Sequence, residues 1–154
     1  MPKLAIGKKV PDFALESSSG PWRLKSNLGS RLVLYFYPKD NTSGCTSEGE
    51  AFRDLGAQFK KAKTVILGVS PDSVASHIKF REKYKFPFDL LADPDKEAAM
   101  LFEVYKEKSM YGRKYMGVER STFLLDQYNV LRAEWRKVKV GGHADEVLAA
   151  ARSL

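Results

Sequence analysis

The chain has 154 residues, 44% of them hydrophobic and 29% charged, with 11 Gly and 7 Pro, a balance that excludes collagen-like, low-complexity and wholly disordered chains. At this length roughly 70% of the unfolded surface is removed from water on folding, so a core can form without disulfides or structural metal. The single cysteine, Cys45, excludes an intrachain disulfide, a C-x-x-C redox pair and a multi-cysteine zinc site, while the formal charge of +7 raises nucleic acid as a partner.

Residues 1–13 carry lysines but no apolar stretch of the kind a signal peptide needs, and the longest apolar run falls far short of the roughly 20 residues that span a bilayer. A cytoplasmic protein with no membrane partner is expected, and a reducing compartment suits a free thiol. Lys and Arg alternate with acids in residues 103–114 and 132–139, which reads as a solvated basic surface and not as a nucleic-acid stripe. With no Ser/Gly or Pro-rich linker, residues 1–154 are expected to form one domain.

The pieces 12–15 and 22–24 suit a short added hairpin near the N-terminus. Leu32-Val33-Leu34-Tyr35-Phe36-Tyr37, ended by Pro38, and Val65-Ile66-Leu67-Gly68-Val69, followed by Pro71, are short apolar runs of the type buried on both faces of a parallel sheet. Between them Phe52, Leu55 and Phe59 recur at helical spacing, so residues 43–61 are the crossover helix of a βαβ unit despite Gly49 and Gly56. Val74, Ile78, Arg81 and Tyr84 suit a second helix, and residues 89–92 a short strand. Asp93-Pro94 reads as an N-cap with proline at the first helical position, before Ala98, Leu101, Phe102 and Tyr105. Residues 122–126 and 130–138 flank the turn-prone Gln127-Tyr128-Asn129, an antiparallel hairpin, and a closing helix from His143 packs Val147, Leu148 and Ala151. A βαβ half followed by a hairpin and a final helix makes an α/β fold, thioredoxin-like, with a central mixed sheet flanked by helices.

Ligands approach such sheets at the carboxyl ends of the parallel strands, where Cys45 falls. Thr42 is a good N-cap; it would put Cys45 at the third helical position, among N–H donors that have no intrahelical partner and that favour a thiolate. Ionisation alone brings little. Lowering a thiol pKa from about 8.5 to about 6 raises the thiolate fraction at pH 7 about thirtyfold, but the accompanying fall in nucleophilicity takes back roughly tenfold. Large acceleration must come from groups that hold the electrophile and stabilise the leaving atom: the Thr42 hydroxyl, helix N–H groups and an arginine supplied from elsewhere.

The run Tyr37-Pro38-Lys39-Asp40-Asn41-Thr42-Ser43-Gly44-Cys45-Thr46 resembles the P-x-x-x-T-x-x-C signature of peroxiredoxins, and its Lys-Asp-Asn-Thr filling is similar to the bacterioferritin comigratory protein, or PrxQ, branch. Val10-Pro11-Asp12-Phe13, Val69-Ser70-Pro71-Asp72, residues 93–97, Glu119-Arg120-Ser121-Thr122-Phe123 and residues 138–143 extend the resemblance over nearly the whole chain. It implies a thiol-dependent peroxidase in which Cys45 attacks a peroxide oxygen and becomes a sulfenic acid. Thr42 would hydrogen-bond the peroxide, Pro38 would shield the sulfur from water, and Arg120 would favour the thiolate and orient the reacting oxygens; Glu48, one turn after Cys45, would hold Arg120. No metal, haem or flavin is implied.

The departures are at Glu50 and near Arg81, where members of this branch often carry a resolving cysteine. The oxidised enzyme would then be reduced by an external thiol, such as thioredoxin, glutaredoxin, glutathione or a second copy of this chain, and Cys45 would be prone to overoxidation. The branch favours a monomer, and hydrogen peroxide and organic hydroperoxides are the expected substrates. The competing function is a thioredoxin-fold sensor or binding protein without significant turnover. Glu48 stands between a surface helix residue and a partner of Arg120; His77 reads as a surface helix residue, His143 as a helix-start residue, and Tyr35 and Tyr37 as sheet packing. Leu101, Phe102, Tyr105, Met110, Tyr111, Tyr115 and Met116 read mostly as core, some lining an apolar rim for organic hydroperoxides.

Overall fold

A computed structural model describes residues 4–154. The chain opens with the antiparallel hairpin of β1 (Ala14–Ser17) and β2 (Gly20–Arg23). A 3-10 turn, Leu24–Asn27, leads into β3 (Arg31–Phe36). The crossover is two helices and not one: α1 (Ser43–Asp54) ends at Leu55, and α2 (Gly56–Lys61) restarts at Gly56, where glycine is a poor helix interior residue. It returns to β4 (Thr64–Ser70), parallel to β3, and α3 (Val74–Tyr84) leads to β5 (Leu90–Ala92), parallel to β4. Ser73 caps α3 through its side chain, accepting from the Ser76 N–H, and Lys85 ends it in the left-handed conformation.

Between β5 and residue 121 the structure departs from the sequence expectations at three points. Asp93 is not an N-cap followed by helical proline: α4 (Glu97–Leu101) begins three residues later, and the Asp93 carboxylate reaches over the turn to accept from the Ala98 and Ala99 N–H groups. Tyr105 is not helical but opens β6 (Tyr105–Met110), which pairs antiparallel with β7 (Arg113–Val118) as a separate two-stranded sheet. Met110, Tyr111, Tyr115 and Met116 on this hairpin are exposed, not core, because it meets the core only at its base, through Tyr105 and Val118; Phe102 alone of that set is fully buried. A third hairpin, β8 (Ser121–Leu125) and β9 (Leu131–Trp135), precedes α5 (His143–Arg152).

The seven-stranded sheet has the order β2-β1-β5-β4-β3-β8-β9, with β3, β4 and β5 parallel and the rest antiparallel, as a thioredoxin-like mixed sheet requires. Alternation along β3 builds both layers of the core. Leu32, Leu34 and Phe36 face Phe13, Phe102 and Phe123; Val33, Tyr35 and Tyr37 face Phe52 of α1, Phe59 of α2, Phe80 of α3 and Val147 and Leu148 of α5. Four helices thus cover one face, and α1 lies on it with Cys45 turned inward. On α3 the buried stripe is His77 and Phe80, one residue out of step with the expected Ile78, which is 38% exposed.

Candidate active site

The Cys45 site is assembled from two elements far apart in sequence. The turn after β3 brings the chain to Thr42, the N-cap of α1, and places Ser43, Gly44 and Cys45 in its first turn. Their N–H groups are the ones a helix start leaves without intrahelical partners. On the neighbouring strand the antiparallel register sets Phe36 opposite Ser121, so Arg120, one residue before β8, sits beside the carboxyl end of β3. The result is that Arg120 Nη2 donates to Cys45 Sγ at 3.3 Å and Arg120 Nη1 to Glu48 Oε1 at 2.6 Å.

Of the residues singled out in the sequence, Cys45, Glu48 and Arg120 are in direct contact. Glu48 is no surface residue; it is 1% exposed and its other carboxylate oxygen has no protein partner among the described residues. Burial pushes the Glu48 carboxyl up to about 7, against the pull of the Arg120 charge and hydrogen bond. For Arg120, burial works against the charge, but Glu48 and Cys45 outweigh it, and the guanidinium is held more firmly protonated than usual. Cys45 is also buried, at 1% exposure, and the guanidinium, with its side chain 17% exposed, is the group in contact with both the sulfur and solvent.

Thr42 occupies the cap position with extended backbone, yet its hydroxyl does not cap: it donates to the Lys39 carbonyl at 2.8 Å. The side chain is exposed, and Pro38 is half-buried on the same turn. His143 does start α5; it is buried, with Nε2 at 2.8 Å from the Thr122 hydroxyl, and burial pushes its pKa down. Tyr35 and Tyr37 pack on the sheet as expected, Tyr35 stacked on Phe52 with ring centroids 4.8 Å apart.

Gly44 carries no signal in the sequence beyond its place in the motif. A Cβ there would lie 3.1 Å from Arg120 Nη2, so its lack of a side chain leaves room for the guanidinium against the first turn of α1. Glu50 pairs with Arg53 at 3.6 Å and Arg81 with Asp89 at 3.3 Å, so Glu50 and Arg81, the residues at or near which the resemblance leads one to look for a second cysteine, are both in ion pairs. A crevice of about 480 Å³ beside α2 and β4, lined by Arg53, Lys60, Ile66 and Phe88 among others, shares no residue with the cysteine site. Among the described residues no cluster of His, Cys, Asp and Glu is arranged to hold a metal ion, and no helix is long and apolar enough to cross a membrane.

Residues 6–134 match the model of the AhpC/TSA family. The chain is 47% identical over 152 residues to peroxiredoxin Bcp of Bacillus subtilis, covering 98% of this chain and 97% of that one. It is 50% identical over 143 residues to peroxiredoxin Bcp of Xanthomonas campestris, covering 92% and 89%. Among solved structures, the X. campestris bacterioferritin comigratory protein, described for its alkyl peroxide reduction activity, superposes with a TM-score of 0.88 at 49% identity over 92% of this chain and 90% of that one. PrxQ of Xylella fastidiosa superposes with a TM-score of 0.92 at 40% identity over 99% and 98%.

Proposed function

This chain belongs to the AhpC/TSA family, as a thiol-dependent peroxidase of the peroxiredoxin Bcp (PrxQ) branch, and from that premise we propose that Cys45 is its peroxidatic cysteine and Arg120 the group that organises the reaction. The carrying observation is the 3.3 Å contact between Arg120 Nη2 and Cys45 Sγ across 75 residues of sequence. A guanidinium never deprotonates at working pH and holds two neighbours in a fixed fork, so it can support negative charge on sulfur before the reaction and on oxygen during it.

The Cys45 thiolate attacks the hydrogen-bearing oxygen of the peroxide; an S–O bond forms, the O–O bond breaks, and the electron pair leaves with the other oxygen, which takes a proton from water to become an alcohol or water. Cys45 is left as sulfenic acid. Thr42 holds the incoming peroxide, Pro38 limits water at the sulfur, and Glu48 fixes the angle of Arg120 through the 2.6 Å bond. Hydrogen peroxide and small organic hydroperoxides are the substrates; the alkyl peroxide activity of the X. campestris relative supports the second class.

With one cysteine in the chain, an external thiol must displace water from the sulfenic acid to give a mixed disulfide, and a second thiol must then release Cys45. Thioredoxin, glutaredoxin and glutathione are the candidate reductants. The protein works as one domain and as a monomer in the cytoplasm, where a lone free thiol stays reduced.

Stopped-flow peroxide consumption tests the assignment. Wild type should react far faster than free cysteine, Cys45→Ser should not, and one equivalent of peroxide followed by glutathione should leave a mixed disulfide on Cys45 by intact mass. A rate no faster than free cysteine, equal in the two proteins, overturns it in favour of a sensor or binding protein.

A further inference from the structure

Behind the turn that carries Pro38 and Thr42 lies a second polar cluster, which shares no hydrogen bond with Arg120 or Cys45. Its hub is the Asp40 carboxylate, 5% exposed as a residue, which accepts from Tyr37 Oη at 2.6 Å and from Ser76 Oγ at 2.7 Å and meets Nδ1 of the His77 ring at 2.8 Å. The backbone N–H of Asp40 donates to Asp72 Oδ2 at 2.8 Å, and Asp72 is held in turn by the Ser70 hydroxyl at 2.6 Å. His77 has no exposed surface; the sequence expectation of a surface helix residue is wrong because α3 turns this position, and not Ile78, toward the sheet.

The two ring nitrogens of His77 face different elements. Nδ1 meets Asp40 Oδ2, and Nε2 lies 2.9 Å from the carbonyl of Leu91 on β5. A carbonyl can only accept, so Nε2 carries a proton. Nδ1 and the carboxylate face each other out of solvent, and removing either partner strands a buried polar group on the other. One side chain thus ties three parts of the fold together: the turn of residues 37–42, the first turns of α3, and β5.

We propose that the buried Asp40–His77 pair is the positioning device of the peroxidatic turn, holding residues 37–42 so that Pro38, Thr42 and the first turn of α1 present Cys45 to peroxide. The proposal rests on the peroxidase assignment and deepens it. Peroxide attack needs several groups aligned on one oxygen, so it is sensitive to small displacements of the turn; attack of a free thiol on the sulfenic acid makes fewer such demands. Asp40 and His77 are positioning residues and touch no reacting atom.

Three variants separate positioning from general stability. His77→Asn keeps an N–H near the Nδ1 position for Asp40 and gives up the Leu91 carbonyl; His77→Gln reaches the Leu91 carbonyl and gives up Asp40. Tyr37→Phe removes one donor from the carboxylate and keeps the ring. Sulfenic acid formation is timed by dimedone trapping and intact mass after mixing reduced protein with hydrogen peroxide, and the reductive step by mixing pre-oxidised protein with glutathione. Oxidation is expected to slow about tenfold or more in His77→Gln, several-fold in Tyr37→Phe and less than about threefold in His77→Asn, with the glutathione step within about twofold of wild type in all three. Wild-type oxidation in His77→Gln, equal slowing in His77→Gln and His77→Asn, or reduction that slows in parallel with oxidation overturns the proposal. If the His77 variants fail to fold, Tyr37→Phe decides alone, an unchanged oxidation rate overturning it. A wild-type protein that forms no sulfenic acid overturns the peroxidase assignment itself, and the proposal with it.

Discussion

Arg120 divides one positive charge between two buried neighbours, the Cys45 sulfur and the Glu48 carboxylate. Burial works against the Glu48 charge more strongly than the guanidinium supports it, and the carboxyl is raised from an ordinary 4.5 to about 7. Linkage fixes the sign of the effect on stability. Between these two values the folded protein binds a proton at Glu48 that the unfolded chain does not, so this residue's contribution is most favourable below pH 4.5 and is lost as pH rises through about 7. A tenfold change in proton affinity is worth about 1.4 kcal/mol, so the total change is on the order of 3 kcal/mol. Urea denaturation of wild type and Glu48→Gln at pH 5 and pH 8 isolates it, because constant differences between the two proteins cancel. Wild type should lose about 2–3 kcal/mol relative to the variant on going to the higher pH. A difference independent of pH would mean that Glu48 stays ionised throughout.

At the level of elements, α1 is held close to the rest of the helical layer by what one of its residues lacks. A Cβ at Gly49 would come within 2.5 Å of Phe86 Cζ. Phe86 has no room to retreat, being packed edge-on to Phe80 at 5.1 Å and stacked on Phe88 at 5.2 Å between ring centroids. Gly49→Ala should therefore destabilise by about 1–3 kcal/mol by overpacking, although alanine is the better helix former by about 1 kcal/mol. A raised urea midpoint would show that the aromatic stack gives way. Sequence patterning reached the elements whose burial is regular. The unbroken apolar runs of β3 and β4 and the spacing of Val147, Leu148 and Ala151 in α5 could all be read directly. It missed β6 and β7, where lysines, glutamate and methionines alternate with no buried face to impose a period of two. It also misplaced the inner stripe of α3, because a fully buried histidine looks polar in sequence and becomes intelligible only once Asp40 and the Leu91 carbonyl are seen around it. The place of Cys45 in the first turn of α1 was legible from strand-end position; Thr42 holds the cap position but its hydroxyl turns to the Lys39 carbonyl, and Arg120 was legible only through the resemblance, since nothing local marks an arginine for a sulfur 75 residues away.

For the molecule as a whole, the decisive fact is that a chain with one cysteine has no internal means of removing the sulfenic acid it forms. Glu50 and Arg81 are engaged with Arg53 and Asp89. Without reductant, excess hydrogen peroxide should carry Cys45 onward to the sulfinic and sulfonic acids, with inactivation following the mass change, and glutathione at equal concentration should protect. Persistence of the sulfenic acid under excess peroxide would point to a site that closes after one turnover. The antiparallel ladder between β3 and β8 has a wider bearing. It fixes the guanidinium by counting residues from Ser121 outward, so the path taken by the preceding chain is irrelevant. Descendants of this sequence are free to lengthen, shorten or rewrite the tip joining β6 to β7, yet a single deletion between Arg120 and Phe123 would turn alternate side chains of a fully buried strand to the opposite side, taking Phe123 out of the core together with the guanidinium.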